Sequence, residues 1–165
     1  MKIGITLIIV FIINCASLSF GQEIKENGLY RTYQDNGQIE TEGYFKNNKV
    51  NGILKSYYRD GSLESELTYE DGVMEGIAKV YYENGNLKEK SFYRNGKIEG
   101  TSLFYYESGN LMSEANFKEG KQDGVTKIYY DIKEKKLMTE DSYKDGELIN
   151  RKKFEYPQEG LFISE

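Results

Sequence analysis

Glycine stands at positions 28, 52, 76, 100 and 124, and each interval is 24 residues. A chain built on one short period does not fold around a unique central core. Each unit buries its apolar side against its neighbours, and stability is a sum over units and the contacts between them. The copies agree well beyond the glycines. Nine residues after four of them lie Gly37, Gly61, Gly85 and Gly109, preceded by Asn36, Asp60, Asn84 and Ser108, with Ile39, Leu63, Leu87 and Leu111 two residues further on. Tyrosine stands five residues after every marker, at Tyr33, Tyr57, Tyr81, Tyr105 and Tyr129, and again at Tyr58, Tyr82, Tyr106 and Tyr130. An aromatic residue closes each unit: Phe45, Tyr69, Tyr93, Phe117 and Tyr143. The fifth unit replaces the short turn by Asp131-Ile132-Lys133-Glu134-Lys135, a two-residue insertion that keeps the alternation of faces.

Each unit reads as a β-hairpin. Ile77 to Glu83 is a strand rich in β-branched and aromatic residues. Asn84-Gly85 then predicts a two-residue type I′ turn, whose central residues both need positive φ. A second turn at Arg94-Asn95-Gly96-Lys97 leads onward. Counting outward from Asn84-Gly85 and its equivalents sets Arg31 opposite Glu42, Lys55 opposite Glu66 and, across the insertion, Lys127 opposite Glu140. Lys79 opposite Lys90 and Leu103 opposite Glu114 depart from that ladder. One face carries Tyr58/Leu63, Tyr82/Leu87 and Tyr106/Leu111 as expected cross-strand pairs, with small residues such as Ser65, Ser113 and Ala115 between them. The column Tyr33 to Tyr129 falls on the other face, among the Lys and Glu side chains. No stretch after residue 22 has a helical period, so the expected fold is all-β: one elongated, single-layer antiparallel sheet of tandem hairpins.

The two ends read differently. Lys2, the apolar run Ile3 to Ile13 and the small residues Ser19 and Gly21 predict a secretory signal peptide over 1–21, cut before Gln22 and too short for a comfortable membrane span. A lipidated Cys15 is the lesser alternative, because Asn14 fits poorly before it. The repeat domain then covers 22–165, with 150–165 as a C-terminal cap whose Leu161-Phe162-Ile163 covers the last hairpin. Export to a periplasmic, cell-surface or secreted location follows as an expectation. Lys2 leaves with the signal, so the formal charge of −5 becomes one unit more negative. That charge disfavours nucleic acid and anionic membrane surfaces as partners, because both call for excess Lys and Arg.

Catalytic chemistry is poorly provided for. The chain has no histidine, and its one cysteine lies in the expected signal segment. Ser-His-Asp and Cys-His arrangements and the usual zinc sets are thereby excluded from the rest of the chain. Neither a phosphate-binding glycine loop nor a calcium-loop spacing occurs, so no cofactor, metal or catalytic residue is expected. The carboxylates form a ladder facing lysines, whereas a catalytic pair would break the repeat. Tyrosine offers large contact area with one polar tip, which suits both packing and recognition. The expected contact strip is Tyr57, Tyr81, Tyr105 and Tyr129 with Lys55, Lys79 and Lys127.

Lys79-Val80-Tyr81-Tyr82-Glu83-Asn84-Gly85-Asn86-Leu87, followed by Phe92-Tyr93-Arg94-Asn95-Gly96-Lys97, resembles the variant class of MORN repeats, and bacterial chains of this type are often labelled as the YwqK-like antitoxin family. The resemblance covers residues 28–149 and departs from the standard pattern in lacking its tryptophan. It implies elongated sheets of stacked hairpins and a scaffold that binds another protein. The antitoxin label implies a toxin-binding inhibitor instead, which fits an exported chain awkwardly. An envelope-carbohydrate binder that stacks sugars on tyrosine is a further alternative.

Overall fold

The structure is a computed structural model that describes residues 27–155. The expected signal peptide, Cys15, the junction before Gln22 and Leu161-Phe162-Ile163 lie outside the described residues. Thirteen strands follow in order: β1 Asn27–Tyr33, β2 Ile39–Lys46, β3 Lys49–Tyr57, β4 Leu63–Glu70, β5 Val73–Tyr81, β6 Leu87–Arg94, β7 Lys97–Ile98, β8 Gly100–Tyr105, β9 Leu111–Lys118, β10 Lys121–Gln122, β11 Gly124–Tyr129, β12 Leu137–Lys144 and β13 Glu147–Lys153. They make one open antiparallel sheet in the order β1-β2-β3-β4-β5-β6-β8-β9-β11-β12-β13. The short β7 and β10 pair with β6 and β9, as the first pieces of strands that a bulge interrupts. No helix occurs among the described residues. The all-β, single-sheet architecture is therefore the one that the repeat predicts.

The turn type expected within each hairpin is found in the connections between hairpins. In the third hairpin the Gly85 N–H donates to the Tyr82 carbonyl and the Tyr82 N–H to the Asn86 carbonyl, both at 2.8 Å. Of Glu83, Asn84 and Gly85 only the glycine has positive φ, at 84°. This is a three-residue loop, a type I turn closed by one left-handed residue, and not the type I′ turn expected at Asn84-Gly85. Right-handed backbone suits Glu83 and Asn84, so only the glycine carries the strained conformation. Type I′ geometry occurs in the connections instead, as at Asn95 (φ 49°) and Gly96 (φ 74°).

That difference moves the pairing next to each turn. Tyr57, Tyr81 and Tyr105 face Leu63, Leu87 and Leu111, replacing the expected Tyr58/Leu63, Tyr82/Leu87 and Tyr106/Leu111 pairs. One extra residue on the return strand, Lys88 in the third hairpin, then restores the count. Farther from the turn the expected ladder is present: Arg31 opposite Glu42, Lys55 opposite Glu66, Lys127 opposite Glu140 and Lys79 opposite Lys90.

The marker glycines sit in a second bulge. Phe45 pairs Val50 but Gly43 pairs Leu54, so β3 carries two more residues there than β2. Gly52 and Gly76 adopt φ of 102° and 107°, values open to glycine and strained for other residues. A bulge at the same place in every unit bends and twists the sheet in the same sense. Its effect is visible in burial: Ala78, Ser91, Ser102, Ser113, Ala115 and Thr126 are buried although only one sheet is present. They share the inner face with Tyr93 and Phe117, also buried. The Tyr58, Tyr82 and Tyr106 hydroxyls donate to the carbonyls of Tyr81, Tyr105 and Tyr129 at 2.7–2.8 Å, one repeat onward. Each ring thereby ties one unit to the next across small residues.

The array closes at β13. Asn150 stands at the marker position, and the bulge shrinks to one residue, with Tyr143 paired to Leu148 and Ser142 to Asn150. Arg151 consequently faces Asp141, whose side chain is fully buried, and its Nε donates to that carboxylate at 2.8 Å.

Candidate interaction face

The outer face is organised by alternation. Side chains next to each other along a strand point to opposite faces, so Tyr81 lies outside and Tyr82 inside. Outside, the Tyr57 hydroxyl donates to Glu42 (2.9 Å), Tyr81 to Glu66 (3.2 Å) and Tyr129 to Glu114 (3.2 Å). The glutamate lies 15 residues before its tyrosine in each case. Lys55 and Lys79 both reach Glu66, at 3.8 and 3.5 Å. Lys127 is placed between Glu114 and Glu140 on the flanking strands. The expected strip thus falls on one face, with its tyrosines half-buried, except Tyr129, which is buried.

Titration follows the same contacts. Bonds from Arg31 and then Tyr57 hold the Glu42 carboxyl below its ordinary value. Lys135, from the inserted loop, does the same for Glu114. Its ammonium lies 2.8 Å from Glu114 and 5.0 Å from the centre of the Tyr129 ring, which explains why that tyrosine alone is closed off. Burial raises the Tyr57, Tyr81 and Tyr129 hydroxyls, with the neighbouring carboxylates adding to it. These are the signs of a settled ion ladder.

Beside the ladder runs a row that the reading of the sequence missed. Leu29 faces Tyr44, Ile77 faces Phe92, and Ile53 and Val125 occupy the same place in their repeats. All six are exposed, Leu29 by 60%, Ile53 by 52% and Ile77 by 47%. Ile53 and Val125 face Thr68 and Ser142, and Thr101 opposite Asn116 is the one pair with no apolar member. The signal was available, because 29, 53, 77, 101 and 125 share one position of the period. The column is less uniform than the tyrosine one, with Thr101 among its apolar residues. Between Ile77, Lys90, Phe92, Thr101 and Leu103 the face is hollowed into a shallow open cleft of 190 Å³.

Inside, the groups are arranged for packing. Glu89 is buried where the equivalent residues are Thr41, Ser65, Ser113 and Thr139. It accepts a bond from Ser91 Oγ at 2.6 Å, and burial pushes its carboxyl above the ordinary value. Among the described residues no group of three or more His, Cys, Asp and Glu could hold a metal ion.

Four tandem matches to the family described as MORN repeat variant cover residues 26–47, 50–71, 74–95 and 98–119, more than half of the chain. The fifth copy, with its lengthened turn, falls outside the match. No curated protein matches the chain. Repeats of this family are generally non-enzymatic modules that mediate protein or membrane interactions.

Proposed function

The chain belongs to the MORN repeat variant family, and from that premise we propose an exported, non-enzymatic scaffold that holds another protein along the outer face of its sheet. One observation carries this reading: the exposed row Leu29, Tyr44, Ile53, Ile77, Phe92 and Val125 lies on the same face as the ion ladder. A row of apolar side chains rimmed by charges is what protein-binding surfaces present. The inner face offers less, because its rings and hydroxyls are engaged in joining repeats. Tyr57, Tyr81, Tyr105 and Tyr129 with Lys55, Lys79 and Lys127 form the polar border of this surface. The acidic balance disfavours an anionic membrane as the partner.

The test is capture from cell-envelope and culture-medium fractions by the chain beginning at Gln22. A variant with Ile53→Ser, Ile77→Ser and Phe92→Ser runs beside it, and circular dichroism first establishes that both are folded. A protein held by the wild type and lost by the folded variant is the expected result. Equal capture by both would remove the outer face from the account. A captured toxin would select the antitoxin alternative, and capture of an envelope polysaccharide alone the carbohydrate alternative.

A further inference from the structure

The glutamate column of the ladder is broken once, in the middle of the sheet. Position 90 in the third repeat corresponds to Glu42, Glu66, Glu114 and Glu140, yet it is lysine. Lys90 lies directly opposite Lys79 on β5 and opposite Leu103 on β8. Like charges directly opposed on a sheet are destabilising, so the substitution works against the fold. Its consequences reach Tyr105. Tyr57, Tyr81 and Tyr129 each donate to the glutamate 15 residues earlier, and for Tyr105 that position is Lys90 itself. Among the described residues neither the Lys90 ammonium nor the Tyr105 hydroxyl has a hydrogen-bond or ion-pair partner. A lysine therefore stands where every other repeat supplies a glutamate, on the strand beside the one that carries Tyr105.

Lys90 also lines the cleft, and Tyr105 lies two residues beyond Leu103 of its lining. Ile77, Phe92 and Leu103 line it beside Lys90, and the Arg94 guanidinium lies 5.8 Å from the Phe92 ring centre. We propose that this cleft is a docking subsite for an extended acidic segment of a partner protein: an Asp or Glu carboxylate replaces the missing glutamate, bonded by Lys90 and Tyr105, and an adjacent apolar side chain fills the hollow against Ile77 and Phe92. Charge complementarity selects this occupant. Basic segments would meet Lys90 and Arg94, with Lys79 already paired to Glu66, and purely apolar ones would leave both donors unsatisfied. The proposal rests on the binding-scaffold reading and gives it a location and a ligand chemistry.

The informative substitution is Lys90→Glu, because it restores the ladder while removing the subsite. Amide chemical shifts of the folded chain are followed on adding the blocked peptide acetyl-Gly-Asp-Leu-Phe-Gly-amide and its Asn-for-Asp counterpart. Saturable shifts at Lys90, Phe92, Leu103 and Tyr105 with the Asp peptide are expected. They weaken with added salt, and vanish with the Asn peptide and with Lys90→Glu, whose thermal midpoint is no lower than that of the wild type. Tyr105→Phe weakens binding without abolishing it. Equal shifts from both peptides, shifts mapping elsewhere, or none at all would each overturn the subsite. None of these results touches the capture experiment above, which judges the scaffold reading separately.

Discussion

Tyr81 and Tyr82 are adjacent in the chain and do opposite work. The Tyr82 hydroxyl reaches the Tyr105 carbonyl at 2.8 Å and ties two repeats together on the inner face. The Tyr81 hydroxyl meets Glu66 at 3.2 Å on the outer face and completes an ion ladder that solvent still reaches. One sheet thus has a side that holds the fold and a side that is left to present chemistry. Alternation along the strand separates the two duties residue by residue, so substitutions one position apart should report different properties. Inner-face changes should alter stability, and outer-face changes should alter binding with little effect on folding.

The largest effect is expected at the closing end of the inner face. Asp141 is fully buried and Arg151 is 43% exposed, so Arg151→Met strands a buried carboxylate and should cost about 3 kcal/mol, the lower end of what breaking a buried pair costs. Urea unfolding measures it, and replacing both partners as Asp141→Ser/Arg151→Met should recover most of the loss. Next comes the tyrosine pair. Tyr82→Phe should lose about 1 kcal/mol, the worth of one ordinary hydrogen bond. Tyr81→Phe should lose only a few tenths, because its bond is to an exposed ladder. Equal losses would erase the distinction between faces.

Glu89 sharpens the comparison through pH. Burial raises its carboxyl in the folded state. Its stabilising contribution is then complete only below the ordinary glutamate value of 4.5 and is lost as pH rises through the folded value. Glu89→Gln should therefore stabilise the protein at neutral pH, by about 1 kcal/mol, and the gain should disappear in acid. A gain independent of pH would mean that packing is responsible. A small effect of the opposite sign to the tyrosine losses is expected at the break in the ladder. Lys90→Glu should raise stability by about 0.5 kcal/mol, because it replaces a like-charge pair by an opposite one. A clear loss would show that Lys90 has a structural partner.

Much of this architecture is legible in the chain before any coordinates. The glycine period predicts a run of hairpins, and the ladder pairs come from simple counting. The turn type and its neighbouring pairs depart from the expectation for one reason. Asn-Gly satisfies both a two-residue turn and the end of a three-residue loop, and only the backbone distinguishes them. The bulge at Lys88 compensates that error, which is why Lys79 still meets Lys90. The exposed row at Leu29, Ile53 and Ile77 was harder to see, since strand residues of that type are ordinary in a core. Exposure gives them meaning, and exposure depends on which way the sheet bends. The site at Lys90 was half legible: the mismatch with Lys79 was visible, but the unmatched Tyr105 hydroxyl required knowing that Tyr57, Tyr81 and Tyr129 donate to the ladder.

The most direct test of this division of labour is a hydroxyl-radical footprint of the chain alone and in complex with its captured partner. Protection concentrated at Leu29, Tyr44, Ile53, Ile77, Phe92 and Val125, with Tyr58, Tyr82 and Tyr106 unchanged, is the predicted result. Protection of Tyr58, Tyr82 and Tyr106 with the outer row still labelled would contradict it.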